Sequence, residues 1–339
     1  LIRTMHELQH QFVKKILENA SHGAFEKGYG FAPSNIALCK YWGKRDKILN
    51  LPQNSSLSIS LGNKGTETQI KRSSNDRFIL NDQVLDSSSL FYQRLKTFLD
   101  LFRDVCRAPG FEVITKNNIP TSAGLASSAS GYAALVLALN DLTGWDLPRQ
   151  LLSMLARLGS GSASRSLFKG FAIWHCGQRD DGTDSFAESI DVTWSDLRVG
   201  VITLNDDEKP VDSRSGMERT VETSNRYKGW PERARMDIEI IYEAIKNQDF
   251  QTLGSTSELN ALEMHATMRE AKPPLDYFLP ETRAQIDYVQ QLRADGLFVY
   301  LTIDAGPNIK LLFQAEHQDD VLLAFPSLEV IIPFGVGDA

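Results

Sequence analysis

The first twenty residues, LIRTMHELQHQFVKKILENA, place apolar side chains at helical spacing among charges and predict an amphipathic helix. GYGFAPSNIALCKYWGKRD (28–46) then reads as a short strand followed by a loop. Alternation in SSLSISL (55–61) predicts a strand, and TETQIKR (66–72) and DRFILN (76–81) predict two more. Residues 87–106 return to helical spacing. GFEVITKNNIP is a strand running into a loop of small residues, and an Ala/Leu-rich helix follows to about Asn140. Leu151 to about Ser166 is expected to be helical, and GFAIWHC (170–176) to be a strand. After the polar stretch 177–196, RVGVITL (198–204) opens a second region. That region carries helices over 236–247, 255–271 and 281–294, with a proline-bearing loop at 272–278. Strands follow over 298–304, 309–314 and 328–333. Helices and strands mix without strict βαβ alternation, so the pattern predicts an α+β protein with antiparallel or mixed sheets. Its divisions are an N-terminal helical extension (1–27), a first domain (28–196) and a second domain (197–339).

Composition narrows the function. The 339 residues are 42% hydrophobic and 23% charged, ordinary values for a globular chain with roughly two domains. A net charge of −7 argues against general binding to nucleic acid or anionic membranes. An anionic ligand must therefore be met by a local basic cluster. Three scattered cysteines, without a CxxC, suit a reducing compartment. The six histidines include one HExxH spacing, HELQH (6–10), inside the N-terminal amphipathic segment, and His175 next to Cys176 suits opposite faces of a strand; no zinc is expected. No apolar run approaches the roughly 18 residues of a membrane span, and the N-terminus lacks the apolar core of a signal peptide. A cytoplasmic location is the expectation.

Four runs carry candidate chemistry. In IPTSAGLASSASG (119–131) small residues around Gly124 lead into a helix whose start offers unpaired N–H groups and a positive dipole end. The run reads as a phosphate cradle or as an ordinary helix cap; it is not a GxxxxGK[ST] loop. Ser128 offers a hydroxyl to Mg²⁺ or to a phosphate oxygen. In NIALCKYWGKRD (35–46), Lys40 and Lys44 lie four residues apart beside Tyr41 and Trp42. On a turn or short helix they would share a face and wall a cationic pocket; otherwise the run is a solvated basic segment. ARLGSGSASRSLFKGF (156–171) surrounds Arg165 with serines, including Ser160 and Ser162, after glycines that interrupt a helical pattern. Arg165 has the planar fork that suits a carboxylate or phosphate. TIDAGPN (302–308) ends an apolar strand in Asp304, which is either a base or hydroxyl-orienting group, or the cap of its own turn. Ser213 and Arg214, just before a predicted helix, form a further candidate anion site or a plain cap.

Together with LPQNSSLSISL and PVDSRSGMERTVETS, these runs occur in the order found in the diphosphomevalonate decarboxylases of the GHMP kinase superfamily, a family this chain resembles over about residues 28–335. The resemblance implies a ribosomal protein S5 domain 2-like N-terminal domain, a ferredoxin-like C-terminal domain, an active site in the cleft between them, and a homodimer. It implies ATP- and Mg²⁺-dependent phosphorylation of mevalonate 5-diphosphate on its 3-hydroxyl. Loss of phosphate and CO₂ then gives isopentenyl diphosphate. By the same resemblance Asp304, Lys40 and Arg165 are the catalytic set. Tyr41, Lys44, Ser160, Ser162, Arg165, Ser213 and Arg214 contact substrate. Gly124, Leu125, Ala126, Ser127 and Ser128 hold the ATP phosphates, with Ser128 also near Mg²⁺. The chain departs from the family in Ser164, where a cysteine is usual, and in its N-terminal helix. The alternatives are a phosphomevalonate decarboxylase, a mevalonate 3-kinase, another small-molecule kinase, or a non-catalytic binding protein of the same fold; retention of Asp304, Lys40 and Arg165 favours decarboxylation.

Overall fold

The computed structural model describes residues 2–23, 25–119, 127–205 and 211–334. Along the chain, helix α1 (Ile2–Ile16) precedes strands β1 (Gly28–Cys39), β2 (Lys44–Asp46), β3 (Leu51–Pro52), β4 (Ser56–Ser73), β5 (Arg77–Leu80) and β6 (Gln83–Val84). Helices α2 (Leu90–Asp100) and α3 (Arg103–Cys106) lead to β7 (Gly110–Asn117), α4 (Ser127–Thr143) and α5 (Arg149–Gly159). A 3₁₀ turn (Gly161–Leu167) is followed by β8 (Phe171–Trp174), β9 (Ala187–Ile190) and β10 (Leu197–Ile202). The remainder comprises α6 (Ser213–Thr223), α7 (Trp230–Asn247), α8 (Phe250–Arg269), α9 (Pro280–Ala294), β11 (Tyr300–Ile303), β12 (Ile309–Gln314), α10 (Gln318–Ala324) and β13 (Glu329–Ile331).

Two main sheets organise these elements. The first is seven-stranded, in the order β6-β5-β7-β4-β8-β9, with β1 also paired to β4. The second is four-stranded, in the order β11-β12-β10-β13, and all its pairings are antiparallel. Helix α4 lies directly on β1. A Cβ at Gly28 would sit 2.1 Å from the Ala138 carbonyl oxygen, and one at Gly30 would sit 2.3 Å from that of Ala134, so this close approach requires glycine at both positions. One core joins α1 (Phe12, Val13, Ile16) to α2, α4 and α5. A second core packs Ile36, Leu38, Leu57 and Ile59 of the first sheet with Val199 and Leu312 of the second, and with Trp230, Ile241 and Leu253 of α7 and α8. This shared core fixes the ends of β1 and β11 against each other. A third core, behind the second sheet, holds Ile286, Leu301, Leu311 and Val321.

The structure corrects several expectations. The strands foreseen over 55–61 and 66–72 are the two ends of one long strand, β4. It pairs with β8 through Ser56–Ile59 and with β7 through Thr66–Ser73. The short strand expected at residue 28 runs twelve residues. The helix expected from Leu151 to Ser166 stops at Gly159, where Ser160 is extended (φ −152°, ψ 130°) and a 3₁₀ turn begins. Packing drives that break. A Cβ at Gly159 would meet the Tyr132 ring at 2.2 Å, and one at Gly161 would meet Tyr41 at 2.8 Å and Trp174 at 2.9 Å. The span 87–106 divides into α2 and α3, and β9 lies inside the stretch read as polar loop. Ser213 and Arg214 are the first residues of α6 and do not precede it; the cap is Asp212, whose carboxylate accepts from the Arg214 and Ser215 N–H groups. Among the described residues no helix is long and apolar enough to cross a membrane.

Candidate active site

Strand β1 is buried from Ala32 through Cys39, and it delivers Lys40 into the space between the two sheets. The chain from Lys40 to Gly43 is neither a turn nor a short helix, as the four-residue spacing had suggested; it is irregular and leads into β2. Lys40 and Lys44 therefore enter separate clusters. Lys40 is 2% exposed and donates to the Ala37 carbonyl at 2.7 Å and to Asp304 Oδ1 at 2.7 Å. Asp304 follows β11, so this contact joins residues 264 apart in sequence. Burial pulls the Lys40 ammonium down from its ordinary value, and the Asp304 carboxylate pushes it back up.

A second lysine faces the same carboxylate. Lys310, on β12 and 2% exposed at its side chain, lies 3.6 Å from Asp304 Oδ2 and 3.5 Å from the Asn308 carbonyl. The Asp304 side chain is 33% exposed, so the carboxylate is the open face of a buried cationic cluster. His265 on α8 meets the Asp304 carbonyl oxygen at 3.0 Å. Its burial depresses the imidazole to about 3, so His265 is neutral at pH 7 and donates here through Nε2. Asn260, on the same helix, accepts from the Lys40 N–H at 2.8 Å and donates to buried Asp237 at 2.8 Å. Asn54 donates to the Lys40 carbonyl at 2.9 Å. Both peptide groups around Lys40 are thus held by side chains.

The 3₁₀ turn carries Arg165 into the same region. Arg165 is 2% exposed, donates to the hydroxyl of Ser56, and reaches Asn35 Oδ1 at 3.4 Å; its buried Nε has no partner among the described residues. Burial lowers the guanidinium to about 10, and Asp304 is the leading opposing influence, so Arg165 stays charged at pH 7. The Ser160 and Ser162 hydroxyls lie 3.3 Å apart on this turn. Ser164, the departure from the family pattern, donates to the Gly161 carbonyl at 2.6 Å and closes the turn.

Tyr41 stacks edge-on against Trp174 at 4.9 Å, and its buried hydroxyl has no partner among the described residues. Lys44, half-buried, is lowered to about 8 by burial and then by the charge of Arg214. Arg214 also acts on Tyr41, so α6 turns its first residues toward β2 and Tyr41. The structure therefore brings together Lys40, Asp304 and Arg165 in one cluster, and Tyr41, Lys44 and Arg214 in an adjoining one. Ser213 is half-buried at the start of α6. Gly124, Leu125 and Ala126 lie outside the described residues, and Ser127 and Ser128 open α4. Ser128 is exposed and lines an apolar cavity with Phe91, Leu95, Val113 and Tyr132.

Sequence reasoning missed Lys310, His265, Asn260 and Asn54. Lys310 had a signal: a lone cation inside the apolar run IKLLFQ. The others are polar residues on amphipathic or loop segments, and nothing in their spacing sets them apart.

A strand-end lysine and a strand-end aspartate meeting between two α+β halves define the class of a GHMP kinase-type enzyme. Two family models match the chain: the diphosphomevalonate decarboxylase-like N-terminal domain over residues 32–187, and the mevalonate 5-diphosphate decarboxylase C-terminal domain over 199–329. The chain belongs to the diphosphomevalonate decarboxylase family. It is 34% identical to the diphosphomevalonate decarboxylase of Debaryomyces hansenii, with 86% of this chain and 80% of that one covered. It is similar to the mevalonate diphosphate decarboxylase structure from Staphylococcus aureus, at a TM-score of 0.84 and 36% identity, covering 91% and 95% of the two chains. It is also similar to the structure of MDDEF in complex with MVAPP, AMPPCP and magnesium, at a TM-score of 0.85 and 42% identity, covering 90% and 96%.

Proposed function

We propose that this protein phosphorylates mevalonate 5-diphosphate on its 3-hydroxyl with ATP and then expels phosphate and CO₂, forming isopentenyl diphosphate. The observation that carries this reading is the Lys40–Asp304 contact at 2.7 Å, with the open carboxylate of Asp304 facing outward from buried cations. A similar protein binds MVAPP, AMPPCP and magnesium together.

Asp304 accepts the hydrogen bond of the 3-hydroxyl, aims its oxygen at the γ-phosphorus, and takes the proton as the new P–O bond forms and the bond to ADP breaks. Lys40 keeps that carboxylate placed and offsets charge at the reacting centre. The phosphorylated oxygen then leaves C3 with its bonding electrons. The C1–C2 bond supplies the pair that becomes the C2–C3 double bond, and C1 departs as CO₂. Arg165, whose Nε is buried without a described partner, grips the substrate carboxylate and orients that C1–C2 bond. Tyr41, Lys44, Ser160, Ser162, Ser213 and Arg214 take the 5-diphosphate end. The ATP phosphates sit on residues 124–128 at the start of α4, and the apolar cavity beside Ser128 suits the base. The donor set fits a magnesium nucleotide: the hydroxyl of Ser128 is exposed at a helix start, where the ion would neutralise triphosphate charge. The division of the chain at about 196, a homodimer and a cytoplasmic location belong to this proposal.

The test offers mevalonate, its 5-phosphate and its 5-diphosphate separately, each with ATP and Mg²⁺. CO₂ and phosphate are expected only with the 5-diphosphate. CO₂ from the 5-phosphate would reassign the protein as a phosphomevalonate decarboxylase, and ADP without CO₂ would make it a 3-kinase.

A further inference from the structure

We propose that Lys310 is a positioning residue for this reaction: with Lys40 it holds the two oxygens of Asp304, fixing the carboxylate in one orientation and keeping it ionised once the anionic substrate is bound. The proposal rests on the decarboxylase reading above. It stands on geometry, burial and charge. The first is geometric, since Lys40 meets Oδ1 at 2.7 Å and Lys310 lies 3.6 Å from Oδ2, one lysine from each sheet. The second is burial: both lysine side chains are 2% exposed, whereas the carboxylate between them is 33% exposed. A buried ammonium is costly unless an anion faces it, and among the described residues Asp304 is the carboxylate that faces Lys310. The third is the charge balance of the cluster. Among the described residues, Lys40 from the end of β1 and Lys310 from β12 flank the carboxylate, Arg165 from the 3₁₀ turn acts on it through its charge, and neutral His265 from α8 meets its backbone carbonyl. Positive charge thus outweighs the one carboxylate among these groups.

That excess has a function when substrate arrives. A carboxylate and several phosphates brought close to Asp304 disfavour its charged form and raise its affinity for a proton. A protonated Asp304 can neither accept the hydroxyl's hydrogen bond at that oxygen nor take its proton. Lys40 alone cannot cover this demand, because it also donates to the Ala37 carbonyl and because Arg165 is turned toward Ser56 and Asn35. Lys310 adds a second cation on the opposite oxygen. Its ammonium is turned to Asp304 Oδ2 and the Asn308 carbonyl, so it acts through Asp304.

Lys310→Met removes the charge while keeping most of the volume. Asp304 is active when ionised, so kcat falls as pH drops through its pKa in the bound complex; losing a nearby cation raises that pKa. The acid limb of the kcat profile is therefore expected to move to higher pH by about one to three units. At neutral pH kcat should fall by up to about 100-fold through the loosened carboxylate, with KM for ATP changed less than about twofold. Lys310→Arg keeps the charge and should leave the acid limb in place, whatever it does to kcat. If Lys310→Met does not fold, Lys310→Gln carries the same comparison. An acid limb unmoved in the uncharged variant, or moved equally in Lys310→Arg, overturns the proposal. Release of CO₂ from mevalonate 5-diphosphate by the unaltered protein is measured alongside. Its absence would sink the decarboxylase reading, whereas normal wild-type turnover with an unmoved limb would sink only the role of Lys310.

Discussion

Asp304→Ala is expected to lower kcat by at least about 1000-fold, the upper part of the range for losing a positioned acid–base group. Two effects combine. The substitution removes the acceptor that aims the 3-hydroxyl. It also takes the carboxylate away from Lys40, whose burial then favours the neutral amine, so the charge at the reacting centre is lost as well. Nucleotide binding should survive, because Asp304 is not among the residues proposed to hold the ATP phosphates, and KM for ATP should stay within about threefold if only local charge is disturbed. Asp304→Asn separates the two effects: it keeps the shape and loses the charge, and should be nearly as inactive. Turnover close to wild type in either variant removes Asp304 from the mechanism. Steady-state CO₂ release, with nucleotide binding measured in parallel, is the check.

Arg165→Ala should reduce kcat/KM for mevalonate 5-diphosphate by about 10- to 100-fold, from the 1.5–3 kcal/mol typical of a hydrogen bond to a charged group. KM for ATP should hardly change. The side chain is 2% exposed and tied to Ser56 and Asn35, so its loss also disturbs the interior of the first sheet. Arg165→Lys provides the control, since it keeps the charge and loses the planar fork. Losses confined to the substrate place the guanidinium on the substrate carboxylate. Equal losses for substrate and ATP, with a matching fall in thermal stability, would make Arg165 a structural residue.

Much of this architecture is legible in the chain because it rests on local signals. β5, β7, β8 and the β11–β12 pair announce themselves by short apolar runs and by the tight AGPN turn between Asp304 and Ile309. What the pattern could not give depends on packing between distant segments. The residues between the two strand-like ends of β4 look like a break, and the register with β1 does shift there, yet β1 pairs with both ends and joins them in one strand. The helix before Arg165 looks continuous, yet Tyr132, Tyr41 and Trp174 press on Gly159 and Gly161 and turn the chain at Ser160. The candidate site divides in the same way. Lys40, Asp304 and Arg165 stood out as charges set in apolar or small-residue runs, and the structure gathers them. The expectation that Lys40 and Lys44 share one wall failed because the segment between them is irregular and not a turn or helix, so each reaches a different neighbour. His265 and Asn260 gain their meaning only when α8 packs beside β1 and β11, a contact that no local spacing encodes.

In the proposed reaction the 3-hydroxyl oxygen is phosphorylated before CO₂ is lost, and one site performs both steps. Mevalonate 5-diphosphate carrying oxygen-18 at the 3-hydroxyl tests it most directly. With ATP and Mg²⁺, the account predicts that the label appears in inorganic phosphate, one labelled phosphate for each CO₂ and ADP released. CO₂ release with the label recovered in water, or with unlabelled phosphate, would contradict it.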